Sequence, residues 1–143
     1  MAPQVYSWTC SACSLDWLKR SAGIDPQSTR EQTVEQIGYP ENISPQYGLH
    51  DGSGTRLREV IESYGVAAEQ GWLDFDSAYV LAQLTTGCIG GASWYHWVAL
   101  RGIEGDSILV ANSAPGWGGI GEPGILTRQD WERLGPFAVV WLA

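Results

Sequence analysis

Apolar positions recur at helical spacing through the first half of the chain and alternate or run together at strand spacing through the second. From Cys10 onward, Cys13, Ser14, Trp17, Leu18 and Ala22 put small and apolar residues on one helical face, and Gly23 stands where that helix would end. Ser28-Thr-Arg-Glu31 has the form of a capping box and leads through Val34 and Ile37 to Gly38, predicting a short second helix. Residues 39–54 are broken by prolines and glycines and read as a surface loop. Leu57, Val60, Ile61 and Tyr64 predict a third helix closed by Gly65, and Val66 to Gln70 a short strand. Asp76 reads as the N-cap of a fourth helix running to Gly87, with Phe75 and Val80 as its hydrophobic staple.

Beyond Gly87 the pattern turns to strands: Cys88 to Ala92, Tyr95 to Arg101, then a turn at Glu104-Gly-Asp106 into Ser107 to Ala111. A Gly/Pro-rich loop follows from Ser113 to Gly124. Thr127 and Asp130 cap a last short helix with Trp131 and Leu134, and Phe137 to Leu142 closes as an apolar strand. Helices first and strands afterwards predict an α+β fold, with an N-terminal helical half and a C-terminal antiparallel β-sheet half. No repeat or linker divides residues 1–143, so a single domain is expected.

Composition narrows the function classes. At 44% hydrophobic the chain is not of disordered type, and its apolar runs are too short for a membrane span. The N-terminus has neither the basic region nor the apolar core of a signal peptide, which implies cytoplasmic synthesis. A net charge of -8 opposes binding to nucleic acid or to anionic membranes. Three cysteines are an odd number and do not make a disulfide framework. The eight tryptophans fit core filling or a groove for a peptide or glycan.

The chemistry concentrates at the start of the first helix. Gln4 precedes Cys10 by six residues, and Cys10 opens the helix. A thiol in a first turn meets the positive end of the helix dipole and unpaired N–H groups, both of which favour thiolate. The same N–H groups, with a side-chain amide, can hold a developing oxyanion. His96 falls on a strand, sharing a face with Val98 and Leu100, and Asn112 follows the next strand.

Gln4-x5-Cys10 followed by a helix resembles the papain-like cysteine peptidases, and Cys10-Ser-Ala-Cys-Ser-Leu15 is most similar to their compact C39-like branch. The resemblance extends through Gly23 and Gly38, Tyr64-Gly65 before a strand, and His96 on Tyr95-His96-Trp97-Val98-Ala99-Leu100. Asn112-Ser113 with Gly116-Trp117-Gly118 loosely resembles the Asn-Ser-Trp-Gly region of papain proper. Two positions depart from the branch: Ser11 replaces the usual glycine, and Asn112 the common aspartate. The resemblance implies Cys10 as nucleophile, His96 as base and acid, Asn112 as orienter of the ring, and Gln4 with the Cys10 N–H as oxyanion hole. It also implies substrate contacts at Trp97, Trp117 and Gly118, no cofactor and no metal. The Cys10 thiolate should then form well below the ordinary thiol value of about 8.5.

The same resemblance implies a thiol endopeptidase acting on a peptide, either a peptidoglycan stem-peptide cross-link or a Gly-containing peptide. It places the chain with phage lysins and tail-associated enzymes, virion-bound or released to the cell wall, as a subunit of a larger assembly. A catalytically inactive papain-like binding module is the alternative of another class. Cys10-Ser-Ala-Cys13 also has the form of a thioredoxin redox pair, but only nine residues precede it, too few for the strand that motif follows. Zinc on that pair would have only Cys88, His50 and His96 to complete it. Cys13 and Cys88 read as buried packing residues and His50 as a solvated loop histidine, while Glu31, Glu35, Glu59 and Glu62 read as solvated helix faces. Gly116 to Gly121 lacks a P-loop lysine and reads as a wall of the cleft.

Overall fold

The structure, a computed structural model, describes residues 1–84, 87–91 and 96–143, with the side chains of Cys88 and Ile89 outside the description. Helix α1 (Cys10–Ser21) begins where the sequence places it, and Gly23 adopts φ 72° just beyond its end. Helix α2 (Arg30–Ile37) starts one residue later than expected, capped by Thr29 in a capping box with Gln32. The reason lies in Ser28, whose hydroxyl accepts from Lys19 Nζ at 3.0 Å and donates to the Asp25 carbonyl at 3.1 Å. That hydroxyl is committed to a buried network and is not available as a cap.

Residues 39–54 are more than a surface loop. Strands β1 (Ile43–Ser44) and β2 (Gly48–Leu49) pair there, and Ile43 and Leu49 are buried in the core. Helix α3 (Thr55–Glu62) follows, then β3 (Ala68–Leu73), shifted along the chain from the expected strand. Helix α4 (Phe75–Gln83) is capped by Asp74, whose side chain accepts from the Ser77 N–H, rather than by Asp76. Phe75 is therefore the first helical residue, and Val80, 56% exposed, forms no staple with it.

The strands that follow are β4 (Gly87–Gly91), β5 (His96–Glu104), β6 (Ser107–Ala111), β7 (Gly124–Leu126) and β8 (Phe137–Leu142), with α5 (Arg128–Leu134) before the last. Positions 92 and 95, expected to be strand, lie outside the described residues, as do 85 and 86 at the expected end of α4. Strand β7 was not expected; α5 and β8 match, with Thr127 and Asp130 forming the capping box.

Among the described residues six strands form one sheet in the order β3-β8-β4-β5-β6-β7, every neighbouring pair antiparallel. Side-chain alternation divides the sheet between two cores. Trp97, Ala138 and Val140 join α1, α2 and α3 on one face, whereas Val98, Leu100, Phe137 and Val139 join α4 and α5 on the other. Among the described residues no helix is long and apolar enough to cross a membrane.

Candidate active site

The site forms where the start of α1 meets the end of the β5–β6 ladder. Pairing of β5 with β6 reaches only to Ala99 and Ala111. Past that rung the Trp97 N–H has no strand partner on the β6 side, and it donates to Cys10 Sγ at 3.3 Å. Trp97 follows His96 directly, so covalent geometry brings the sulfur to within about 6 Å of the His96 Cα. The helix therefore delivers Cys10 to the strand that carries His96.

Asn112, fully buried, lies one residue past the end of β6. Its Oδ1 accepts from the Ala114 N–H at 3.0 Å and its Nδ2 donates to the Ile120 carbonyl at 3.1 Å, which fixes the orientation of the amide. His96 Nε2 sits 2.8 Å from the same Oδ1. A carboxamide oxygen only accepts, so Nε2 carries the proton and Nδ1 keeps its lone pair in the neutral ring. The sequence does not distinguish the two nitrogens; this hydrogen-bond network does. Trp117 covers the imidazole, ring centroids 4.5 Å apart, and Gly118 next to it packs over Leu134 at φ 60°.

Gln4 reaches the site through the residue after Asn112. Its N–H donates to the Ser113 carbonyl at 2.9 Å, and its Oε1 accepts from Ser113 Oγ at 2.7 Å. With Oε1 engaged, Nε2 donates one proton to the Tyr6 carbonyl at 2.9 Å; an amide nitrogen has a second. Arg30 holds the same N-terminal strap by donating to the Ala2 and Pro3 carbonyls at 2.6 and 2.7 Å. Two roles in the site escape sequence reasoning: Ser113, which orients Gln4, and Glu122, whose Oε2 accepts from the Asn112 N–H at 2.6 Å. The visible signal for Glu122 is only that it is the lone carboxylate in a Gly/Pro-rich loop.

Electrostatics correct one expectation. Burial pushes the Cys10 thiol up to about 11, outweighing the hydrogen bonds from Trp97, Ser11 and Cys10 itself that favour thiolate. The same burial lowers His96, opposed by its bond to Asn112. Burial in this geometry therefore favours the neutral thiol and the neutral imidazole, against the thiolate–imidazolium pair expected from the sequence. Ser11, where the C39-like pattern has glycine, is fully buried, and its hydroxyl has no hydrogen-bond partner among the described atoms.

Trp97 is also corrected. It is 4% exposed, its indole packs over Gly90 and Gly54, and it fills the α1 core instead of lining a cleft. Being odd-numbered beside His96, it points to the opposite face of the strand. Cys13 is buried as expected. His50 is exposed but tied to the β1–β2 hairpin, Nε2 2.7 Å from Ser44 Oγ. Cys88 lies in β4, its side chain outside the described residues.

Beside the site, Val5, Tyr6, Trp8, Thr9, Val34 and Tyr39 line a groove of about 310 Å³ between the strap and α2, rimmed by Arg30, Glu31 and Glu35. Tyr6, Trp8 and Tyr39 form a chain of ring contacts with centroids 5.9 and 5.8 Å apart.

No protein-family model and no curated protein matches the sequence. Solved structures do. A double glycine motif protease from an AMS/PCAT transporter, determined in complex with its leader peptide, superposes with a TM-score of 0.71 at 15% identity, covering 100% of this chain and 91% of that one. A Bacillus anthracis protein assigned to the C39-like peptidases gives 0.69 at 14% identity, covering 100% and 94%. The peptidase domain of Streptococcus ComA, a bifunctional ABC transporter of a quorum-sensing pathway, gives 0.67 at 13%, covering 99% and 97%. At these identities the likeness establishes the architecture: the chain has the fold of the C39-like peptidase domains.

Proposed function

We propose that the chain is a thiol endopeptidase. The observation that carries this is the buried His96–Asn112 hydrogen bond at 2.8 Å, in which Nε2–H donates to Oδ1 and Nδ1 is left as a base on the strand that receives Cys10. Because thiol and imidazole start neutral, the proton moves from Sγ to Nδ1 as sulfur attacks the substrate carbonyl. The imidazolium then protonates the leaving amine, and water releases the acyl group. The Cys10 N–H and the second Gln4 amide proton serve the oxyanion. The Trp97 N–H stabilises negative charge on sulfur.

A peptide substrate is supported by the leader peptide bound to the transporter protease of like fold, and by the aromatic groove adjoining Gln4 and Cys10. Trp117 and Gly118 are proposed to form the opposite wall. Within peptides we place the substrate among cell-wall stem-peptide cross-links or Gly-containing peptides, in a phage lysin or tail-associated setting. That placement rests on the resemblance of the Cys10 motif and on composition.

A second reading, a papain-like binding module without activity, is favoured by the raised Cys10 thiol and by Ser11. One experiment separates the two. Peptides and purified peptidoglycan are incubated with wild type and Cys10→Ala and read by mass spectrometry, alongside iodoacetamide labelling of each cysteine. Cleavage lost in Cys10→Ala, with Cys10 alkylated fastest, supports the peptidase. No cleavage, with Cys10 alkylated no faster than Cys13, supports the binding module.

A further inference from the structure

The geometry points to Glu122 as a positioning residue that sets Asn112, and through it the His96 ring, an inference that rests on the peptidase reading. Asn112 comes after the last rung of β6 on both sides: pairing with β5 ends at Ala111, and pairing with β7 ends at Val110 opposite Gly124. Its N–H is thus buried with no strand carbonyl to take it. The Glu122 carboxylate, its side chain only 16% exposed, takes that place at 2.6 Å, the short distance of a charge-assisted bond. The same oxygen lies 3.3 Å from the Met1 nitrogen.

The loop that supplies Glu122 also supplies the Ile120 carbonyl to Asn112 Nδ2. One short segment therefore grips Asn112 at both its backbone and its side-chain amide. Among the described hydrogen bonds Oδ1 is the ring's partner, with Trp117 packed over the imidazole, so a shift of the Asn112 peptide passes to Nε2 and to the orientation of the ring. Misplacement on the order of 1 Å is enough to cost about a hundredfold in rate. The sequence pattern gives no role to Glu122, and its carboxylate touches neither thiol nor imidazole in the contacts described.

The test uses Glu122→Ala, Glu122→Gln and Glu122→Asp. Glu122→Ala should lower kcat by roughly ten- to a hundredfold with KM changed less than about threefold, because orientation and not substrate binding is lost. Glu122→Gln keeps an acceptor of the same reach and should recover kcat to within about threefold of wild type. Glu122→Asp keeps the charge but falls short and should behave as the alanine variant does. Combined with Asn112→Ala, Glu122→Ala should add almost nothing, since both act through one amide. Nitrogen NMR of the His96 ring reports independently of turnover, with wild type in the Nε2–H tautomer and Glu122→Asp giving a mixture. A single unchanged tautomer in Glu122→Asp, wild-type kcat in both Glu122→Ala and Glu122→Asp, or fully multiplicative losses with Asn112→Ala would each overturn the inference. If wild type cleaves nothing, the peptidase reading fails, while the tautomer measurement still decides whether Glu122 positions the ring.

Discussion

Cys10 is an acid and His96 a base, so the same burial moves their titrations apart. Unfolded, both groups titrate at their ordinary values; folded, the thiol is pushed up to about 11 and the imidazole is lowered. Between 9 and about 11 the unfolded chain releases a proton that the folded chain keeps, so stability falls as pH rises through that window. Below 6.5 the unfolded chain binds a proton on His96 that the folded chain refuses, so stability falls there as pH drops. The urea midpoint of wild type should therefore decline from pH 9 to 11 more steeply than that of Cys10→Ala. Equal slopes would show that burial does not hold the thiol protonated. At this scale the sequence discloses residue types and order, since Gln4, Cys10, His96 and Asn112 carry a recognisable spacing. It does not disclose protonation, because that depends on how much water the folded chain removes from Sγ, and the helix dipole alone points the other way. Glu122 is hidden for a related reason: its bond to Asn112 joins a side chain to a backbone amide, and no local pattern encodes that.

Elements were legible where their own chain supplies the signal. The capping box at Thr127 and the unbroken apolar run 137–142 both form as their residues dictate. Misplacements arise where tertiary partners compete for a local group, as Lys19 and Asp25 do for the Ser28 hydroxyl. Residues 43–49 hid a hairpin because its two-residue strands are too short to show alternation, yet Ile43 and Leu49 fill the core. Strand β4 shows how tightly an element can depend on its partner. Gly90 pairs opposite Trp97, and a Cβ there would overlap the indole. Gly90→Ala should destabilise the fold by about 1–3 kcal/mol through overpacking. Shrinking the ring in the double variant Gly90→Ala/Trp97→Leu should make the combined loss smaller than the sum of the two. Urea midpoints for the four proteins check this, and strict additivity would mean that the two side chains do not compete for one space.

At the scale of the molecule, the strand order β3-β8-β4-β5-β6-β7 was not legible, because the last strand inserts between two formed much earlier in the chain. Period and turn chemistry specify strands but not which distant strand each will meet. That insertion gives β8 a face in each core, and α1 can present Cys10 to β5 only if the helical layer is fixed on the sheet. The N-terminal end of α1 is fixed at Trp97. Its C-terminal end is fixed by Lys19, which is fully buried and donates to Ser28 Oγ and Gln36 Oε1, each at 3.0 Å, with Nζ 5.4 Å from the Tyr64 ring centroid. Gln36 in turn donates to the Tyr64 hydroxyl, which donates to Asp25 Oδ2 at 2.8 Å, so one buried cation binds α1 to α2 and to the end of α3. Lys19→Met keeps the length and apolar stem of the side chain but strands the Gln36 oxygen, and should cost about 1–3 kcal/mol. Adding Gln36→Leu removes the stranded acceptor and should recover part of that loss, because deleting both partners of this part-buried hydrogen bond is cheaper than deleting one. Urea unfolding of wild type, Lys19→Met and the double variant measures both steps. A Lys19→Met midpoint at or above wild type would show that apolar packing alone seats α1 on the sheet.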